Sequence, residues 1–245
     1  KTNLLTQDED GFHEGSSIRK INGKYYMVYA DISRGRPTCL GYAISDNPLG
    51  PYEKKGIIID NNGCDPSSWN DHGSIQKIGE DYYVFYHRST HNSVYSRRVC
   101  AEKIQINEDG TIDEVEMTTQ GAESHIPETR VLTASAFCKI NGKANLENYT
   151  SAAESYEFLT NIHNGDGAYI KYYLFEGKID KIQVKASNTG LVSQILVHLD
   201  GPDGEVVAEI QIGKSKGNYD FAEYEAPLKR SMEGRHSVYF EFAGS

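Results

Sequence analysis

Two side chains able to move protons stand at matching places in this 245-residue chain. Glu14 lies in Phe12-His13-Glu14-Gly15-Ser16, and His72 in Trp69-Asn70-Asp71-His72-Gly73. Each precedes one copy of a repeated segment: Ser17-Ile-Arg-Lys-Ile-Asn-Gly-Lys-Tyr-Tyr-Met-Val-Tyr29 returns 57 residues on as Ser74-Ile-Gln-Lys-Ile-Gly-Glu-Asp-Tyr-Tyr-Val-Phe-Tyr86. A carboxyl and an imidazole are the groups most used for general acid and base work. The repeat therefore sets two candidate proton carriers in equivalent positions.

The elements that must hold them are strands. Ser17 to Ile21 turns at Asn22-Gly23 into Lys24 to Ala30, a two-residue hairpin signal, and strands follow at Thr38 to Ser45 and Tyr52 to Ile59. The second unit repeats the plan with Ser74 to Ile78, Tyr82 to Arg88, a long strand between Ser93 and Ile106, and Ile112 to Met117. Repetition of four-stranded units at roughly 40–60 residues is how a β-propeller shows itself. Two such units cannot close a ring of about four to eight blades.

Seventeen Tyr, eight Phe and twenty-three Gly fit an all-β chain of strands and tight turns. A formal net charge of −10 argues against nucleic acid, whose phosphates demand clustered Lys and Arg. No run of about 18 apolar residues spans a membrane. The four cysteines, Cys39, Cys64, Cys100 and Cys138, show neither zinc-site nor disulfide spacing; free thiols lean towards a reducing, cytoplasmic compartment, with an extracellular one left open.

After Gly121 the pattern loosens into polar, Pro-containing sequence, read as a linker over 122–130. From Val131 the strands space differently: Ala168 to Leu174, Ile179 to Ala186, Gln194 to Leu199, Val206 to Ile212 and Ser237 to Phe242, parted by turns such as Asn164-Gly-Asp-Gly167 and Gly201-Pro-Asp-Gly204. Alternation such as Ile179-Asp-Lys-Ile-Gln-Val-Lys-Ala puts apolar residues on one face, as a jelly-roll β-sandwich requires.

His13-Glu14-Gly15-Ser16-Ser17-Ile18 and the strands after it resemble the segment that carries the catalytic acid in family 43 glycoside hydrolases. Ser68-Trp69-Asn70-Asp71-His72-Gly73, Tyr83-Val-Phe-Tyr-His-Arg88 and Ser96-Arg-Arg-Val-Cys-Ala-Glu102 resemble the last blade of that five-bladed propeller. The resemblance covers about residues 8 to 121 and implies the last two blades. The remainder is similar to family 6 carbohydrate-binding modules, through Asn164-Gly-Asp-Gly-Ala-Tyr-Ile170, Ile195 to Gly204 and His236 to Gly244. On that resemblance residues 1–121 are propeller blades and 131–245 a sandwich without its last strand.

The resemblance implies an inverting glycosidase that releases terminal α-L-arabinofuranosyl or β-D-xylosyl units from arabinoxylan, a plant cell-wall polysaccharide. Inversion needs an acid and a base roughly 6.5–9.5 Å apart. Glu14 is the acid by the resemblance, with a carboxyl expected to be buried or beside another carboxylate. The base and an orienting Asp belong to N-terminal blades of the same polypeptide, so the 245 residues alone are expected not to catalyse. Asp31, Asp65 and Asp71 lie where the family does not place those roles, and Asp71 reads as a support for His72 or its turn.

His72 corresponds to the axis histidine that faces calcium or its waters in many relatives; a satisfied buried histidine is the competing reading. Trp69 is a candidate wall for a sugar ring, or core. Arg88 is a candidate sugar contact, because a buried guanidinium needs a partner. His13 is the third candidate contact, with an ordinary polar residue as the alternative. In the module the platform tyrosine expected near Asn161 is Ile162 or Asn161 itself, which leaves Tyr219 and Phe221 as partial ligand platforms. Two other functions stay open: a non-catalytic carbohydrate-binding protein on a propeller scaffold, and an endo-arabinanase.

Overall fold

The computed structural model describes residues 4–65, 70–151, 155–190 and 193–244, in two compact units, Lys1–Met117 and Thr118–Ser245. The first opens on one helical turn, α1 (Gln7–Asp10), capped by the Thr6 side chain, which accepts from the Glu9 N–H. β1 (Phe12–Ile21), β2 (Lys24–Asp31), β3 (Cys39–Ser45) and β4 (Glu53–Asp60) follow as an antiparallel sheet in sequence order. Asn22 and Gly23 both adopt positive φ, 48° and 86°, as the tight β1–β2 turn requires. β5 (Gly73–Ile78), β6 (Asp81–Thr90) and β7 (Ser93–Ile104) form a second antiparallel sheet, with β5 lying against β1 and β2.

These are two propeller blades, and alternation explains their packing. Ile75, Val84 and Tyr86 share one face of the second sheet and are buried, as are Leu40, Tyr42, Ile58 and Ile59 of the first. The second blade has three strands among the described residues. Ile112 to Met117, expected as its fourth, turns to the first sheet instead. The Ile112 N–H donates to Tyr42 Oη at 2.7 Å, and the Val115 N–H to the Ile58 carbonyl at 2.8 Å. The buried Tyr42 hydroxyl needs a partner, and burying Ile112 and Met117 supplies it. That leaves β7 as an edge with Tyr95 and Val99 exposed.

The second unit begins at Thr118, ahead of the stretch read as a linker. Residues 122–130 are not a free connector: β8 (Ile126–Pro127) pairs in parallel with a later strand, Ile126 is buried, and Arg130 pairs with Glu123 at 2.8 Å. β9 (Lys139–Asn141), the hairpin β10 (Asn145–Thr150) and β11 (Ser155–Thr160), β12 (Gly167–Glu176), β13 (Lys181–Ala186), β14 (Gln194–Leu199), β15 (Val206–Gln211), β16 (Ala222–Pro227) and β17 (Glu233–Ala243) complete it. β15-β14-β17-β12-β8 run side by side, β9 also pairs with β12, and the pairs β10-β11 and β13-β16 make the other layer. Leu146, Val197, Ile210, Met232, Val238 and Phe242 lie in the core of this β-sandwich.

The Asn164-Gly-Asp-Gly turn has a structural task. Buried Asp166 accepts the N–H groups of Lys143, Ala144 and His163, which ties the strand entries together. All four cysteines are free thiols, and no described helix is long and apolar enough to cross a membrane.

Candidate functional site

Glu14 and His72 meet. His72 Nε2 lies 3.1 Å from Glu14 Oε1, so the two matching positions of the repeat form one pair. A β-bulge makes this possible: the β1–β2 register shifts between Glu14 and Ser17, and Gly15 inside the shift has φ +67°. A bulge re-aims the side chain next to it. Gly15 must also be small, because a Cβ there would stand 2.6 Å from His72 Cδ2. Glu14 is open rather than buried: its side chain is 55% exposed and that of His72 33%. Among the described residues nothing encloses the Glu14 carboxyl as the acid role expects.

His87 completes the cluster. Its ring meets His72 edge-on, centroids 5.3 Å apart at 77°, while its N–H bonds the His72 carbonyl at 3.2 Å. Burial, with Arg97 and His72 adding, pushes the His87 imidazole down to about 4. The repeat held a signal for it, since His87 stands where the first copy has Ala30, the strand partner of Glu14. Asp71 is fully buried and does not bond the His72 ring. Burial and the charge of Asp60 push its carboxyl well above the usual range, against a smaller opposing pull from the His87 N–H.

Arg88 leaves the cluster, because side chains alternate along β6. With His87 turned to His72, Arg88 lies on the other face, buried, its Nε 2.9 Å from Cys100 Sγ. His13 is exposed on β1, and Trp69 lies outside the described residues. For calcium, the His72 ring nitrogen faces Glu14, and among the described residues no three His, Cys, Asp or Glu groups converge to hold a metal. A hard cation takes six to eight oxygens; of these, the described residues at this point offer the Glu14 carboxylate beside the His72 imidazole.

The three aspartates are closed to solvent water. Asp31 is locked by Lys54 Nζ at 2.8 Å and by Ser33, Asp65 accepts the Asn92 N–H, and Asp71 is buried as described.

In the sandwich, Ile162 packs against the core, which removes it as a sugar platform. Tyr219 is 54% exposed, its ring 4.8 Å from Tyr149 and 5.9 Å from Phe158. Phe221 lies 5.5 Å from Tyr156 and 5.7 Å from Phe158. The two residues singled out from sequence thus share one aromatic cluster with three more from β10 and β11.

Two family models match the chain. The family 43 glycosyl hydrolase model matches residues 2–112, and the family 6 carbohydrate-binding-module model residues 134–245. A xylosidase/arabinosidase of Thermoclostridium stercorarium is 28% identical over 96% of this chain and 54% of its own length. An arabinoxylan arabinofuranohydrolase of Paenibacillus polymyxa is 28% identical over 98% of the chain and 40% of its own. A crystal structure of the Bacillus subtilis arabinoxylan arabinofuranohydrolase, in complex with cellotetraose, superposes with a TM-score of 0.54 at 25% identity, over 96% of this chain and 51% of that one. The chain spans about half the length of the curated relatives it matches. Its first unit thus matches family 43 of the glycosyl hydrolases and its second family 6 of the carbohydrate-binding modules.

Proposed function

We propose that this chain is part of an inverting glycoside hydrolase that releases terminal α-L-arabinofuranosyl or β-D-xylosyl units from arabinoxylan or its oligosaccharides. The observation that carries the reading is the Glu14–His72 pair on a bulged, open strand end. A protonated Glu14 donates to the oxygen of the breaking glycosidic bond, the electron pair of that bond stays with this oxygen, and water attacks the anomeric carbon from the opposite face. A base takes the proton of that water. Asp31, Asp65 and Asp71 are too buried for that work, so we assign the base to an Asp of the polypeptide outside residues 1–245.

His72 fixes where the Glu14 carboxyl points, and no step needs a metal there. Trp69 and His13 are kept as sugar contacts; Arg88, on the other face of β6, is not. Tyr219 and Phe221 hold the polysaccharide for the second unit, with its neutral surface offered to aromatic rings.

Glu14→Gln, made in the polypeptide as its host produces it, tests the reading. Turnover of an alkyl arabinofuranoside and an alkyl xyloside, whose leaving groups depart only with a proton, falls by about 10²–10⁴, the range of a general acid, with melting unchanged. Rates near wild type on both substrates refute it.

A further inference from the structure

The second unit carries five aromatic rings in unbroken contact that belong to no part of its core cluster: Tyr149, Tyr156, Phe158, Tyr219 and Phe221. Their origin is legible in the β10–β11 register. Leu146 pairs with Leu159 and faces the core, so the alternate residues, Tyr149 opposite Tyr156 and Glu147 opposite Phe158, turn the other way. Tyr149 and Tyr156 stack across the strands at 5.2 Å, and Tyr219 leans on Tyr149 at 4.8 Å with an interplanar angle of 39°. Lys185 Nζ sits 5.6 Å over Tyr156. None of the five rings is fully buried, and Tyr219 is more than half exposed.

A contiguous aromatic surface that stays only half covered, with Tyr219 exposed at its edge, marks a binding face. Its chemistry narrows the partner. Three of the five rings, Tyr149, Tyr156 and Tyr219, carry hydroxyls. Such faces stack the C–H side of a flat sugar ring while the phenolic groups reach its hydroxyls. The family 6 match covers the whole surface. Where the family's platform tyrosine is expected, this chain has Ile162, packed inward; the aromatic surface is built from the β10–β11 hairpin instead.

We propose that Tyr149, with Tyr156 behind it, is the principal sugar platform of the second unit, working beside Tyr219 on an unsubstituted stretch of a β-1,4-linked xylan chain. The proposal rests on the carbohydrate-binding reading of that unit given above. It moves the main contact from the 217–221 loop to the hairpin.

Isothermal titration of the full chain with xylohexaose tests it. Tyr149→Ala weakens binding by about tenfold or more, while Tyr149→Phe, which keeps the ring, stays within about threefold of wild type. In the unsubstituted chain, the ring-proton resonances of Tyr149 and Tyr219 move together along the titration, a readout that does not depend on a variant folding. Binding lost in Tyr219→Ala but unchanged in Tyr149→Ala, or a Tyr149 ring that does not respond, overturns the proposal and leaves the carbohydrate-binding reading standing. A wild-type chain that binds no xylohexaose defeats both.

Discussion

Glu14 reaches His72 because Gly15 lets the strand bulge. A Cβ at that position would need both a left-handed backbone and the volume held by the His72 ring. Gly15→Ala therefore costs about 1–2 kcal/mol from the backbone alone, and it shifts the His72 ring resonances; a variant as stable as wild type with an unmoved His72 would contradict this geometry. His87 sets a pH dependence. Its imidazole is held down to about 4, below the ordinary 6.5 that the unfolded chain shows. Between those values the unfolded state takes up a proton that the folded state refuses, so stability is lost as pH falls from about 6.5 towards 4. An NMR titration should find one imidazole still neutral at pH 5, and His87→Phe should flatten that part of the stability curve. Asp71 has the opposite sign. Its carboxyl is raised, so the folded state holds a proton that the unfolded state has released, and stability falls as pH rises. Asp71→Asn therefore gains more in melting temperature at pH 8 than at pH 4; equal gains would show that the carboxyl ionises freely.

At the scale of elements, the first sheet is held by a buried ion pair. Lys54 on β4 donates both to Asp31 on β2 and to the Asp10 carbonyl of α1, at 2.8 Å each. The Asp31 side chain has no exposed surface. Removing its cation strands a buried carboxylate, so Lys54→Met costs about 3 kcal/mol or more in chemical denaturation; a loss below about 0.5 kcal/mol would show the pair to be screened. The strands of this sheet were legible because Asn22-Gly23 and the Tyr-Tyr alternation leave few readings. The misreadings share a cause. Ile112 to Met117 has an apolar pattern that suits any sheet, and what decided its partner was the Tyr42 hydroxyl, 70 residues away in sequence. Ile126 joined a sheet by two parallel pairs, too few to leave a pattern. The β10–β11 hairpin escaped notice because one face carries polar and tyrosyl residues instead of an aliphatic row. Of the site, Glu14 and His72 could be read from the repeat, but their contact could not, since it depends on a bulge that places Glu14 across from Ala30.

Over the whole molecule, the two units carry separate cores and separate hydrogen-bonded sheets. The sandwich buries its own aliphatic centre, from Leu146 to Phe242. Residues 118–245 made alone should melt in one cooperative transition; a polypeptide without a transition would show that its fold needs the first unit. The direct test of the central claim, that Glu14 is the proton donor, is the dependence of Glu14→Gln on the leaving group, measured in the host-made polypeptide. A dinitrophenyl arabinofuranoside departs without a proton and should be cleaved within about tenfold of the wild-type rate, whereas an alkyl arabinofuranoside should lose about 10³-fold or more. Equal losses on both substrates would contradict the assignment.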